Sequence, residues 1–217
     1  AEYCDILSGE GIMTDNGITA LSSVSAVGED YVVIDGIKLS SDGEFSDKIG
    51  LYTEFWYKDN YEELVFAREK KNKNQILTVE AGLLCGDAED FSTEKLLYYK
   101  DYDSSKRENA KISADADMIY NGRAYPEFDA QTLRIKSGTL TLISNDGDKT
   151  YDLIIAREHE NSIVQNTDEK NLRIYGANGV CLQLGDYDNA AILSENGEAK
   201  TIADVHADSV LSYMISK

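Results

Sequence analysis

Proline, cysteine and histidine are scarce in this sequence, and each scarcity removes a kind of protein from consideration. The 217 residues include 1 proline, 3 cysteines and 2 histidines. A single proline excludes a rigid proline-rich linker. The cysteines (Cys4, Cys85 and Cys181) are far apart and fit no CxxC spacing, so we interpret them as small core residues. A disulfide between two of them stays open if the protein is exported.

The two histidines, His159 and His206, lie among acidic residues. No H-x-x-x-H or Cys-His spacing supplies the further ligands that a zinc site needs. No G-x-S-x-G turn supplies a serine nucleophile for a Ser-His-Asp arrangement. We therefore predict that both are surface histidines.

Long apolar runs and positive charge are also lacking. No run approaches the ~20 residues of a membrane-spanning helix, which predicts no membrane insertion. The net charge is −19, from 40 acidic and 21 basic residues. Such a chain repels phosphate backbones, so no nucleic-acid partner is expected. The sequence begins without Met and without a signal-peptide pattern, which predicts processing or excision from a longer chain.

Short segments of alternating polarity, separated by Gly, Asn and Asp turns, dominate the sequence. They predict an all-β fold of two or three small OB- or SH3-like barrels in tandem, with little helix. We place a small β-barrel at 1–80, a β domain with an irregular excursion and a hairpin at 81–157, and a small β-barrel at 158–217. Strands are predicted at 4–13, 19–27, 31–39, 51–57, 63–69, 75–79, 96–99, 116–120, 139–144, 151–157, 162–166, 171–175, 180–184, 190–193 and 210–215, with one helical turn in 127–135.

The segment 145–152 has acidic residues at alternate positions, which is one way to bind calcium. Its spacing departs from the EF-hand pattern, because Gly147 comes too early and no closing glutamate follows. A hairpin turn that uses Asn, Asp and Gly for their backbone freedom explains it better. Whether Asp146, Asp148 and Asp152 bind calcium stays open.

Two further patterns are weak. Neighbouring carboxylates are frequent, as a glycosidase would need, but a small barrel offers little wall for a cleft. The pairs are Glu62 with Glu63, Asp87 with Glu89 and Asp90, Asp115 with Asp117, and Asp186 with Asp188. The segment 8–11 (SGEG) contains a G-x-G without a third glycine or a following helix, so no phosphate loop is predicted.

Aromatic residues cluster around the strand predicted at 51–57. Alternation puts Tyr52, Glu54 and Trp56 on one face and Leu51, Thr53, Phe55 and Tyr57 on the other. If the second face is core, Tyr52 and Trp56 are available to stack on sugars or to anchor a protein interface. The alternative, which we favour here, is that Trp56 closes one end of the barrel core.

Several segments resemble tandem small β-barrel regions of Firmicutes S-layer-like surface proteins and related phage virion or tail proteins. They are 45–59 (FSDKIGLYTEFWYKD), 118–122 (MIYNG), 138–148 (GTLTLISNDGD) with Tyr151 and Asp152, and 202–205 (IADV). The first is similar to a y-x-G-y-x-V-x-x-Y-Y stretch of those proteins. The chain departs from them in its cysteines and in Ala207-Asp208, where Gly-Asp is usual. The resemblance implies an assembly role and a location at the cell surface or in a virion.

The sequence thus predicts a structural component that acts through protein–protein contacts, as a homo-oligomer or in a larger assembly. It is predicted not to be an enzyme, with no cofactor and no catalytic, cofactor-binding or metal-ligating residue. The second hypothesis is a carbohydrate- or cell-wall-binding module that uses exposed aromatics. The third is a carboxylate-based glycoside hydrolase.

Overall fold

The described part of the chain consists of β-strands, turns and 3-10 helices, which confirms the predicted all-β class. A computed structural model describes residues 5–21, 25–58, 62–86, 91–187 and 190–216. Within these residues no helix has the length and apolarity to cross a membrane. The helical segments there are three-residue turns at Ser46–Lys48, Ala81–Leu83, Leu184–Asp186 and Ile202–Asp204.

The first five strands close into a barrel. They are β1 (Ile6–Asp15), β2 (Tyr31–Ile34), β3 (Ile37–Ser40), β4 (Tyr52–Lys58) and β5 (Glu63–Glu69). They run in the order β1-β2-β3-β5-β4, and β4 returns to pair with β1. Because β3 meets β5 in parallel, the barrel is a Greek key of the OB kind rather than a simple meander. Inward apolar side chains fill it: Met13, Val32, Ile34, Leu39, Phe45, Phe55, Leu64 and Ala67.

The strand predicted at 31–39 is wrong, because the segment is a two-stranded hairpin. Asp35 and Gly36 form its turn, with φ angles of 52° and 75°. Two successive positive φ angles match the right-handed twist of the strands they connect, and Asp-Gly tolerates them. The Asp-Gly pair is therefore a turn between β2 and β3.

The strand predicted at 19–27 is also wrong in its described residues, 19–21 and 25–27, which form a loop. The Asp15 carboxylate accepts backbone N–H groups from Gly17 at 2.7 Å and Val27 at 2.9 Å. The side-chain oxygen of Asn16 accepts the N–H of Thr19 at 2.8 Å. These local side-chain bonds satisfy the backbone without a neighbouring strand.

Six further strands form a second sheet. They are β6 (Gln75–Glu80), β7 (Lys95–Tyr99), β8 (Arg107–Tyr120), β9 (Arg123–Ala124), β10 (Thr139–Ser144) and β11 (Tyr151–Arg157). The order is β6-β10-β11-β8-β7, with β9 beside β8. The β10–β11 hairpin is confirmed, and so is the turn at Asn121-Gly122. Residues 129–134 form hydrogen-bonded turns, with Thr132 N–H donating to the Asp129 carbonyl at 3.1 Å.

The strand at Gln75–Glu80 was grouped with the first barrel by its position in the sequence, but it pairs with β10 of the second sheet. The barrel and this sheet also share a small apolar cluster, in which Ile49 and Leu51 meet Ile119, Ile143 and Leu153. Consistent with this shared core, Ala1–Glu158 and Ile215–Lys217 form one compact unit.

The second compact unit, His159–Met214, is built on an open four-stranded sheet. Its strands are β12 (Glu160–Asp168), β13 (Arg173–Gly176), β14 (Cys181–Gln183), β15 (Ile192–Leu193), β16 (Ala199–Lys200) and β17 (Val210–Tyr213). The sheet order is β14-β13-β12-β17, and β15 and β16 pair with each other. One face covers a core of Val164, Ile174, Leu182 and Ile202.

The cysteines do not all lie in cores. Cys85 is buried, as predicted, whereas Cys181 on β14 is exposed and forms no disulfide. The prediction of a core position is therefore wrong for Cys181. Cys4 lies outside the described residues.

Candidate interaction surface

The outer side of the barrel carries the aromatic cluster found in the sequence. Leu51, directly before β4, and Thr53 and Phe55 on β4 are buried at or next to the core, while Tyr52 and Trp56 are half-buried on the opposite side. The predicted alternation of this strand is therefore confirmed. Trp56 does not belong to the barrel core, so the favoured expectation that it closes one end of that core is wrong.

A β-bulge brings a second aromatic side chain to this surface. Leu64 on β5 is buried, so strict alternation would bury Phe66 as well. The register between β4 and β5 shifts between Trp56 and Tyr57, so that Trp56 lies opposite Phe66 and Tyr57 opposite Leu64. The extra residue on β5 is Val65, and both Val65 and Phe66 point outward. We call the surface formed by Trp56, Val65, Phe66 and Arg68 the aromatic face.

The aromatic face is ordered by ring contacts. The Trp56 and Phe66 rings lie 5.6 Å apart between centroids, tilted by 41°. The Arg68 guanidinium carbon lies 5.3 Å from the Trp56 ring centroid. Phe66 also meets Phe45 edge-on at 6.3 Å. Even so, Phe66 keeps 47% of its surface exposed.

Charged side chains from β1 and β4, together with Lys70 just after β5, border the aromatic face. Arg68 forms a two-nitrogen contact with Glu54, at 2.6 and 2.7 Å to one oxygen, and Lys70 bonds Glu10. The hydrogen bond from Arg68 holds the pKa of Glu54 below its ordinary value. The hydrogen bond to Glu10 raises the pKa of Lys70. The positive charges of Arg68 and Lys70 offset the negative charges of Glu54 and Glu10, so these four side chains add no net charge beside the aromatic face.

The acidic segment 145–152 forms the tip of the β10–β11 hairpin. Its carboxylates are used within the turn: Asp146 accepts the N–H of Asp148 at 2.9 Å, and Asp148 accepts that of Thr150 at 2.6 Å. Asp152 accepts the N–H of Asn145 at 3.2 Å. Burial, followed by the charges of Asp146 and Asp148, raises the pKa of Asp152. The side chains support the turn, as the hairpin interpretation requires.

The remaining candidate residues are not brought together. His159 is half-buried and His206 is exposed in its loop. Across the residues that the structure describes, no three His, Cys, Asp or Glu side chains are close enough to share a metal ion. Of the carboxylate pairs, Glu63 bonds Lys58 at 2.7 Å and Asp186 accepts from Gln183 at 2.8 Å. Asp115 and Asp117 lie on β8, and Asp87, Glu89, Asp90 and Asp188 are outside the described residues.

The G-x-G at 8–11 lies inside β1, where it serves packing. A Cβ atom on Gly9 would come within 2.6 Å of the Phe55 ring, and one on Gly11 within 2.4 Å of the Asp35 Cβ. Both approaches are closer than side chains tolerate. The glycines therefore allow close contact between neighbouring strands of the barrel.

A shallow depression between β12 and β13 carries two adjacent carboxylates. It is lined by Gln165, Asn166, Thr167, Asp168, Glu169 and Tyr175. The side-chain amide of Asn171 donates to Asp168 at 2.7 Å and lowers the pKa of that carboxyl. A glycosidase general acid needs the opposite shift. This depression therefore gives the hydrolase hypothesis no support.

Sequence reasoning found Trp56 but missed Val65 and Phe66. The only available signal was the run Leu64-Val65-Phe66-Ala67, four apolar residues that alternation does not explain and that a bulge resolves. No protein-family model, curated protein or solved structure matches the chain.

Proposed function

We propose that this protein is a structural component of a larger assembly, a cell-surface layer or a virion, that acts through protein–protein contacts. The aromatic face is the observation that carries the proposal. Clustered, rigid aromatic side chains with an arginine beside them are typical of the central residues of protein interfaces.

The geometry of Trp56 favours a protein over a sugar as the partner. Sugar stacking needs an open ring face, but Phe66 and Arg68 already contact the indole. The exposed surfaces of Val65 and Phe66 are apolar, which fits contact with another protein. The surface-layer or virion setting follows from the sequence resemblance.

Net charge sets the conditions for such contacts. Because each copy of the chain has a net charge of −19, two copies repel each other at long range. Salt screens this repulsion, with a Debye length of about 10 Å at 0.1 M, and leaves apolar burial nearly unchanged. Self-association through the aromatic face should therefore strengthen as salt is added.

Sedimentation velocity of the full chain, at rising concentration and at two salt concentrations, tests the proposal. We expect the average sedimentation coefficient to rise with concentration and to rise further with salt. Phe66→Ser should weaken the association by at least about tenfold, as loss of an interface anchor does. Ile18→Ser, at a more exposed loop residue, is the matched control and should leave it unchanged. A chain that stays monomeric at every concentration and salt would overturn the proposal.

The second candidate is a carbohydrate-binding module, favoured by the outward position of Trp56. Trp56 is the only tryptophan, so its fluorescence reports directly on this surface. Saturable quenching by cell-wall oligosaccharides, lost in a folded Trp56→Ala variant, would favour this candidate over assembly. We expect no saturable change.

A further inference from the structure

The edge strand β17 has the features of a strand that pairs with another chain. Within the described residues it pairs with β12 alone and ends the sheet order β14-β13-β12-β17. An edge strand presents unpaired N–H and C=O groups, and proteins usually protect such edges with charged residues or proline. Residues 209–216 (SVLSYMIS) contain neither.

The register shows which backbone groups are available. The Val164 N–H donates to the Ser209 carbonyl at 2.9 Å, so Ser209 faces β12. Successive residues of an antiparallel strand direct their hydrogen-bonding groups to alternate sides. Val210 and Ser212 therefore direct their N–H and C=O groups away from β12, toward the open edge.

Three exposed side chains at this edge are apolar, and the exposed Ser209 and Ser212 are polar but uncharged. Val210 is 75% exposed, and Met214, just beyond the strand, is 60% exposed. Ile163, which lies directly opposite Val210 on β12, is 51% exposed. Together they form an uncharged patch in a protein with a net charge of −19.

We infer that β17 pairs antiparallel with β17 of a second copy of this chain. The inference rests on the proposed function and names one of its contacts. In the register centred on Ser212, the outward backbone groups of both strands face each other. Val210 then lies opposite Met214 of the second copy, so the strand is complementary to itself. A second copy fits better than a basic partner, because the edge has no charge to attract one.

This contact is short, so it is weak on its own. Specific stable interfaces bury more than about 1,000 Å², and pairing of four or five residues falls below that. Such a contact is suited to repetition in an assembly, where several weak contacts act together.

Amide hydrogen exchange on the full chain, at low and at high concentration, tests the inference. We expect the Val210 and Ser212 amides to exchange about tenfold more slowly when nine-tenths of the chain is associated. The Leu211 amide, which faces β12, should change little and serves as the internal reference. Val210→Lys places a charge at the edge and should abolish the protection, whereas Val210→Thr keeps the branched, neutral shape and should retain it.

The other outcomes separate this inference from the proposed function. Self-association without protection of Val210 and Ser212 would overturn the β17 contact and leave the proposed function standing. Protection that survives Val210→Lys but is lost in Phe66→Ser would also overturn it, because the second copy would then act through the aromatic face. A chain that neither associates nor gains protection would overturn both the β17 contact and the proposed function. Any partner of the β17 edge would then be a different polypeptide.

Discussion

The barrel of β1–β5 and the open sheet of the second unit differ in whether the edges of their strands are paired. Both bury one face of each strand around a small core. The barrel order closes on itself, with β3 joined to β5 by the single pair Ser40 and Glu63, and the contacts proposed for the barrel come from outward side chains. The open sheet keeps the edges β14 and β17, so its backbone is available. The comparison predicts that a closed sheet associates through outward side chains and an open sheet edge through backbone groups.

The largest expected effect is a difference in folding stability between substitutions inside and outside the barrel. Phe55 is 1% exposed and fills the core, so Phe55→Ala should destabilise the barrel by about 3–5 kcal/mol. Phe66→Ala removes the same group from the outer face and should cost less than about 1 kcal/mol. Denaturant unfolding followed by Trp56 fluorescence measures both. Equal costs would show that Phe66 is a core residue and that the aromatic face does not exist.

The next effect tests whether the two compact units are stabilised by separate cores. Ile174 is buried in the core of the second unit, and Ile174→Ala should destabilise that unit by about 2–5 kcal/mol. The unfolding transition seen by Trp56, which lies on the barrel, should stay in place while the far-ultraviolet circular dichroism transition broadens or splits. A shift of the Trp56 transition by the full amount would mean that the two units unfold together.

A glycine tests the apolar cluster that joins the barrel to the second sheet. A Cβ on Gly50 would lie 2.0 Å from the Leu153 Cδ2, and the φ of Gly50 is 76°. Gly50→Ala should therefore cost about 2–4 kcal/mol, from overpacking together with the left-handed backbone. The matched control is Gly43→Ala, which has φ of 84° but open space, and should cost about 1 kcal/mol. Equal losses in thermal unfolding would contradict the contact with Leu153.

The smallest effect concerns pH at the β10–β11 hairpin. Burial raises the pKa of Asp152 above the ordinary 3.8, so its charged form is disfavoured in the folded state. The protonated form contributes stability below the unfolded pKa, and this contribution is lost as pH rises through the folded pKa. Asp152→Asn should remove that loss, so the variant gains stability relative to the unaltered protein as pH rises above 3.8. Urea unfolding at several pH values measures the difference in free energy of unfolding between the variant and the unaltered protein. A difference that is constant across this range would show that the pKa of Asp152 is not raised.

Alternation and turn residues predicted the all-β class, the β10–β11 hairpin and the two faces of β4 from sequence alone. These features depend on neighbours in the chain, which a single sequence contains. The β6 strand was assigned to the wrong sheet because pairing partners far apart in sequence leave no local signal. The outward position of Phe66 was missed for the same reason, since a bulge is defined by register against another strand.

The candidate site was predictable only in part. Trp56 stood out by composition and alternation, whereas its contacts with Phe66 and Arg68 depend on the shifted register of β5. The β17 edge was visible as a strand in sequence, but its unpaired side follows from the sheet order. Exposure of Cys181 was missed because its side chain lies on the face of β14 opposite to the buried Leu182.

The most direct test of the central claim is the emission of Trp56 as the protein concentration rises. Trp56 is half-buried on the aromatic face and is the only tryptophan in the chain. If that face mediates assembly, the emission maximum should move to shorter wavelength in step with the sedimentation coefficient, and Phe66→Ser should suppress both changes. An emission maximum that stays constant while the protein associates would contradict the account, because the aromatic face would then remain uncovered in the assembly.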